Sequence, residues 1–189
     1  MIIVRVKYSV HILLMVGMAI LGTAFLTTTT RSIDRVPLSE EHIGRIVANC
    51  TSAKASLQQL HRSDASLRVN RGQLYESIST KLMARLNSRI ALNRLDGSDL
   101  VSAAAQYEQG VARFRSNYQV YEERLTALLR INCQKQPEEF YYQTLEVRAL
   151  RQAVAASVAE VNNNSLEYYK LFGQFSEHFR AEPDMEAEQ

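Results

Sequence analysis

Tryptophan is absent from these 189 residues, and glycine (7), proline (3) and cysteine (2) are sparse. So little glycine and proline excludes a collagen-like or linker-rich protein, while the abundant Ala, Leu, Arg, Gln and Glu favour helix. A dominant charge sign is missing too. The 22 Lys and Arg against 20 Asp and Glu leave a net charge of only +2, which gives no reason to expect nucleic acid as a partner. Catalytic signatures are also lacking: there is no Gly-rich phosphate loop, no nucleophile elbow and no Cys-x-x-Cys. The four histidines (His11, His42, His61 and His178) never take a His-x-x-x-His or Glu-x-x-His spacing. No metal, cofactor, catalytic residue or small-molecule substrate is therefore expected.

One long apolar run is present. Arg5 and Lys7 precede an uncharged stretch from Tyr8 to Thr30 with its apolar centre at Val10 to Leu26. That length spans hydrocarbon as a helix, so a transmembrane anchor is expected, with membrane contact over residues 9–27. A cleaved signal peptide, leaving a secreted protein, is the alternative. The short basic start favours a cytoplasmic N-terminus and an extracytoplasmic remainder. Residues 1–35 then form an anchor or signal segment with its linker, 36–182 a helical bundle, and 183–189 a disordered acidic tail.

The spacing after the anchor predicts an all-α fold of three long antiparallel helices, coiled-coil-like in their seams. Ser39 caps the first, and Glu40 and Glu41 suit its positive end. From there Ile43, Ile46, Cys50, Ala53, Leu57, Leu60, Leu67, Leu74, Ile78, Leu82, Leu86 and Ile90 step by threes and fours, or by seven where Asp64 and Arg71 intervene. Gly97, in the left-handed conformation, is expected to end it, with Ser98 capping the second helix. There Leu100, Ala104, Tyr107, Val111, Phe114, Tyr118, Tyr121, Leu125 and Leu128 alternate steps of four and three without a slip, a bundle stripe or coiled-coil seam. Pro137 opens the third helix, where Phe140, Val147, Val154, Val161, Tyr168 and Phe175 lie seven apart, with Val158, Phe172 and Phe179 between them. Asn162, Asn163 and Asn164 form a weak spot in it. Residues 40–95 carry 9 basic and 4 acidic side chains, and residues 134–189 carry 5 and 10. A basic first helix is thus expected to lie along an acidic third one and neutralise it.

The stretch "HRSDASLRVNRGQLYESI" puts Asp64 and Arg71 where the apolar spacing calls for Leu or Ile. Folding the first hairpin about Gly97 sets Asp64 opposite Arg130 and Arg71 opposite Glu123. These charges read first as a register device, since a slipped pairing strands each one. A partner-binding patch is the second reading and catalysis a remote third. Asp64, Arg68, Arg71, Tyr75, Glu123 and Arg130 are accordingly the register or partner-contact candidates. Cys50 and Cys133 are candidates for a disulfide, yet the same arithmetic leaves them about 11 residues, roughly 16 Å, out of step. Either the first helix bends near residues 62–64, or the second loop climbs further, or the bond joins two chains, or the thiols stay free.

The segments "LRVNRGQLYESISTKLMARLN" and "INCQKQPEEFYY" resemble uncharacterised single-span helical-bundle proteins of Saccharibacteria-type bacteria. That resemblance covers most of residues 40–180 and implies architecture without any activity. The layout is also similar to the outer four-helix sensing domain of bacterial chemoreceptors, but a second span and a signalling region are missing. The expected function is a membrane-anchored extracytoplasmic interaction or scaffold module that binds a protein partner or a second copy, and not an enzyme. The alternative is a sensor-like module holding a small ligand near Arg68, Arg71 and Tyr75.

Overall fold

The computed structural model describes residues 36–186, with side chains described to residue 180. The expected membrane span, residues 9–27, lies outside the described residues. Among the described residues no helix is long and apolar enough to cross a membrane.

The described chain is all helix. Helix α1 (Glu40–Ser77) runs through a π-helical segment (Ile78–Met83) into α2 (Ala84–Leu92), and the three form one rod. Helix α3 (Ser98–Arg130) returns antiparallel to it, and α4 (Pro137–Glu186) returns antiparallel to α3. The start of α1 is as expected, with Ser39 accepting a hydrogen bond from the His42 amide at 3.3 Å.

The first turn sits earlier than Gly97. Arg94, at φ 58°, takes the left-handed position. The Leu95 amide reaches Ile90 O, and the Arg94 amide reaches Ala91 O, both at 3.1 Å. This is a Schellman motif, in which two amides past the helix end satisfy its free carbonyls. Gly97 instead has φ −131° and precedes α3, whose first amide, Ser98, is held by Asp96 Oδ1 at 3.2 Å. Glycine is needed there for space, because a Cβ would lie 2.6 Å from Ile90 Cγ2.

The α3 stripe packs as expected: every member is buried except the half-buried Ala104. Tyr75, Met83, Ile90, Leu100, Tyr107, Phe114, Val161 and Tyr168 form the core near the hairpin. A second core gathers Cys50, Tyr118, Tyr121, Leu125, Leu128, Cys133, Phe140 and Val147, and Val154 packs against both. The three asparagines do not interrupt α4. Asn164 instead donates from Nδ2 to Gln106 O at 3.0 Å. Next to it Gly110 lets α3 and α4 approach closely, with Val161 Cγ2 only 3.3 Å from where a Cβ would stand.

On the first rod the expected stripe holds at Cys50, at the seam position of Asp64, and at Leu86 and Ile90, but not throughout. Leu67, Leu74 and Leu82 are exposed, while Tyr75 and Met83 are buried. A π segment inserts about one extra residue into a helix, so Met83 turns inward in place of Leu82. Phe172 and Phe179 of α4 are likewise exposed.

Cys50 and Cys133 form a disulfide with Cα atoms 5.6 Å apart. Helix α1 runs unbroken through residues 62–64, so the turn, the π segment and the second loop together make up the difference. The earlier turn shifts the pairing by about seven residues and the π segment by about one more. Beyond α3, Ile131 is extended (ψ 135°), and an extended residue advances about 3.3 Å against 1.5 Å in a helix. Lys54 Nζ fixes this climbing loop by donating to Ile131 O at 3.0 Å.

Candidate functional site

Where the two cores meet, Asp64 projects from α1 toward both other helices. Tyr121 of α3 donates its hydroxyl to Asp64 Oδ2 at 2.8 Å. Arg151 of α4 donates Nε to Oδ2 at 2.8 Å and Nη2 to Oδ1 at 3.1 Å. This carboxylate thus ties all three rods together at one level. Burial pushes the Asp64 carboxyl up, but the hydrogen bonds from Arg151 and Tyr121 and the guanidinium charge outweigh it, and the net shift is down. Tyr121, buried and donating to a carboxylate, is held protonated well above the usual tyrosine range.

Asp64 therefore does not pair with Arg130, nor Arg71 with Glu123. Arg130 and Glu123 both lie exposed along the outer face of α3, where Glu123 accepts from Gln119 Nε2 at 3.1 Å. The cause is the shifted turn, which moves Tyr121 to the level assigned to Arg130. Arg148 is exposed as well, and the α3–α4 ion pair near it is Arg124–Glu146 at 3.3 Å. Tyr75 is a core residue, edge-on to Phe114 at 5.4 Å, and its carbonyl accepts from the Tyr107 hydroxyl at 3.2 Å. Burial, with Tyr75 adding to it, raises Tyr107 to about 12.

Beside Asp64, a cavity of about 210 Å³ opens between α1, α3 and α4. Arg68, Arg71 and Arg151 line it over an aromatic floor of Phe114, Tyr118 and Tyr121. Arg68 lies 5.2 Å from the centre of the Tyr118 ring, and its Nη1 is 4.0 Å from Glu122. The Tyr118 hydroxyl is buried without a hydrogen-bond partner.

Further toward the hairpin, a wider groove of about 550 Å³ separates the first rod from α4. Met83, Leu86 and Tyr168 form its floor, and Leu82, Tyr169 and Phe172 its walls. Those walls are open to water: Leu82 is 63% exposed and Tyr169 74%. Lys81, Arg85 and Arg89 line the first-rod edge at successive four-residue steps, one above the other on the helix. The expected neutralisation of the first helix by the third is thus not what joins them. Among the described residues the ion pair between α1 and α4 is Asp64–Arg151, with the acid on α1. Asn87 holds the closed side of the groove, accepting from the Tyr168 hydroxyl at 3.0 Å and donating to Leu100 O at 3.4 Å.

Comparison with protein families, curated proteins and solved structures finds no match to this chain. Two functional residues escaped the sequence reading although their signal was there. Arg151 occupies a seam position between Val147 and Val154, as Asp64 does on the first rod. Tyr121 was read as packing alone, and its hydroxyl is the group that matters.

Proposed function

We propose that the chain is a membrane-anchored, extracytoplasmic interaction module without catalytic activity, and that the groove between the first rod and α4 receives a partner helix. The observation carrying this reading is the exposure of Leu82, Tyr169 and Phe172 along one groove beside Lys81, Arg85 and Arg89, which make no ion pair among the described residues. Contiguous apolar surface of this kind on a polar protein marks an interaction site. A groove between two rods is shaped for an amphipathic helix. The ridge of Lys81, Arg85 and Arg89 favours a helix whose apolar stripe is flanked by carboxylates, because a buried or rim cation without a counter-charge selects against other partners.

Location follows from two further supports. The apolar run of residues 9–27 is long enough for a membrane anchor, in keeping with the resemblance to single-span bundle proteins. The Cys50–Cys133 bond fits an oxidising compartment.

Photo-crosslinking in cells tests the docking reading. A benzophenone side chain at Tyr169 is expected to capture one acidic amphipathic helix, and Arg85→Glu is expected to abolish the capture. The same side chain at Val120, on the outer face of α3, should not capture it. Equal capture from both positions, capture insensitive to Arg85→Glu, or capture of a second copy alone overturns the reading.

A further inference from the structure

Leu67 and Leu82 belong to the apolar stripe of the first rod, yet both are exposed. Leu67 lines the cavity beside Asp64, and Leu82 lines the groove near the hairpin. Both openings lie along one seam, between the first rod and α4, which run parallel. Helix α3 closes one side of that pair with its unbroken stripe. Among the described residues no further helix covers the other side. Between the two openings, polar groups of both rods turn to α3 and not across the seam. Tyr75 O accepts from Tyr107, Glu76 pairs with Arg115, Glu160 pairs with Arg113, and Asn164 donates to Gln106 O.

The dimensions suit a helix. At 1.5 Å per residue the first rod advances about 22 Å from Leu67 to Leu82, and α4 about 25 Å from Ala155 to Phe172. One helix of about five turns reaches over both openings. The cavity beside Asp64 holds about 210 Å³, more than the roughly 150 Å³ that admits benzene. It therefore has room for one large apolar side chain, inserted as a knob.

Charge gives the occupant a direction. At the Asp64 end, Arg151 is held by Asp64, and Arg68 approaches Glu122 at 4.0 Å. At the hairpin end Lys81, Arg85 and Arg89 make no ion pair among the described residues. Carboxylates on the occupant thus gain most at the hairpin end. Acidic side chains stabilise a helix at its own N-terminus, so that end belongs beside the three cations. We infer that the seam is the slot of a single fourth helix of about five turns, acidic in its N-terminal half, running antiparallel to the first rod and α4 as α3 does, with one apolar side chain seated in the cavity beside Asp64. The slot rests on the docking reading and lengthens it.

Photo-crosslinking from two positions of the full-length chain in cells tests this, with the linked residues of the partner read by mass spectrometry. A benzophenone side chain at Ala155, exposed at the Asp64 opening, is expected to capture the same helix as one at Tyr169. The two linked sites should lie about 14 residues apart on that helix, with the Ala155 site nearer its C-terminus. Ala155→Glu should lower capture from Tyr169 by about tenfold, as for one lost apolar contact, with its thermal midpoint unchanged. Capture from Tyr169 alone, unaffected by Ala155→Glu, overturns the fourth-helix slot and leaves the docking reading standing. Capture of a different segment from Ala155, or linked sites in the reverse order, also overturns the slot alone. Capture from neither position overturns both.

Discussion

Replacing Asp64 by leucine removes the acceptor on which donors from two other helices converge. The cost divides unequally between them. Arg151 is about half exposed along its side chain (50%), so it swings into water, and an ion pair with such a partner contributes about 0–1 kcal/mol. Tyr121 is 1% exposed and has no route to water. Leaving its hydroxyl unpaired costs about 1–3 kcal/mol. Asp64→Leu should therefore destabilise the protein by roughly 2–3 kcal/mol, most of it through Tyr121. Tyr121→Phe alone should cost only about 1 kcal/mol, because Arg151 still holds the carboxylate. On the Asp64→Leu background, Tyr121→Phe should restore stability, since it removes the orphaned group. Urea unfolding followed by helical circular dichroism, with the disulfide intact, measures all four proteins in one cycle. If Asp64→Leu lies within about 0.5 kcal/mol of the parent, or Tyr121→Phe adds its full cost to it, the three-helix clasp has no energetic meaning.

Acid should act through the same carboxylate. Its folded-state pKa is below the ordinary 3.8, so its stabilisation is complete above about pH 4 and fades as pH falls toward the folded value. Urea midpoints taken between about pH 5 and pH 2 should drop less in Asp64→Asn than in the parent. Arg94→Gly should raise stability by about 0.5–1 kcal/mol, because glycine takes the left-handed turn position without the side-chain penalty; a loss would mean that the turn does not hold Arg94 there. Gly72→Ala, with nothing within 4 Å of the added Cβ, should gain about 0.5–1 kcal/mol from helix propensity. Gly97→Ala should instead lose about 1–3 kcal/mol by pressing on the buried Ile90, and thermal melts of the two variants should move in opposite directions.

How far the fold could be read from residues differs along the chain. Helix α3 was fully legible because its apolar steps never slip and both of its neighbours pack on that stripe. The start of α1 and the Pro137 opening of α4 were legible too, since caps and first-turn residues act locally. The first rod was legible to Asp64 and again at Leu86 and Ile90; the inward turn of Met83 in place of Leu82 was not, because no residue type announces a π segment, and nothing in the sequence signals the exposure of Leu67 and Leu74 ahead of it. The hairpin was misread because glycine is the usual left-handed residue and Arg94 took that place, while Gly97 was kept for its small size. These two local events displaced every long-range pairing, which is why Asp64 was matched to Arg130 and the cysteines were put out of step. That Asp64 would find a partner across the seam was nevertheless legible, for a charge on an apolar seam needs one wherever the register finally falls. Gly110 carried a weaker signal: a mid-helix glycine with no turn nearby suggests a close approach, and Val161 supplies it.

The loop that climbs from Arg130 to Cys133 and the proposed oxidising location meet in one measurement. Cells are quenched in acid, free thiols are alkylated, and the full-length chain is digested without reductant. A helical body stapled outside the cytoplasm predicts no alkylated cysteine and one peptide pair joining Cys50 to Cys133 within a single chain. Alkylation of both cysteines, or a bond joining two chains, contradicts it.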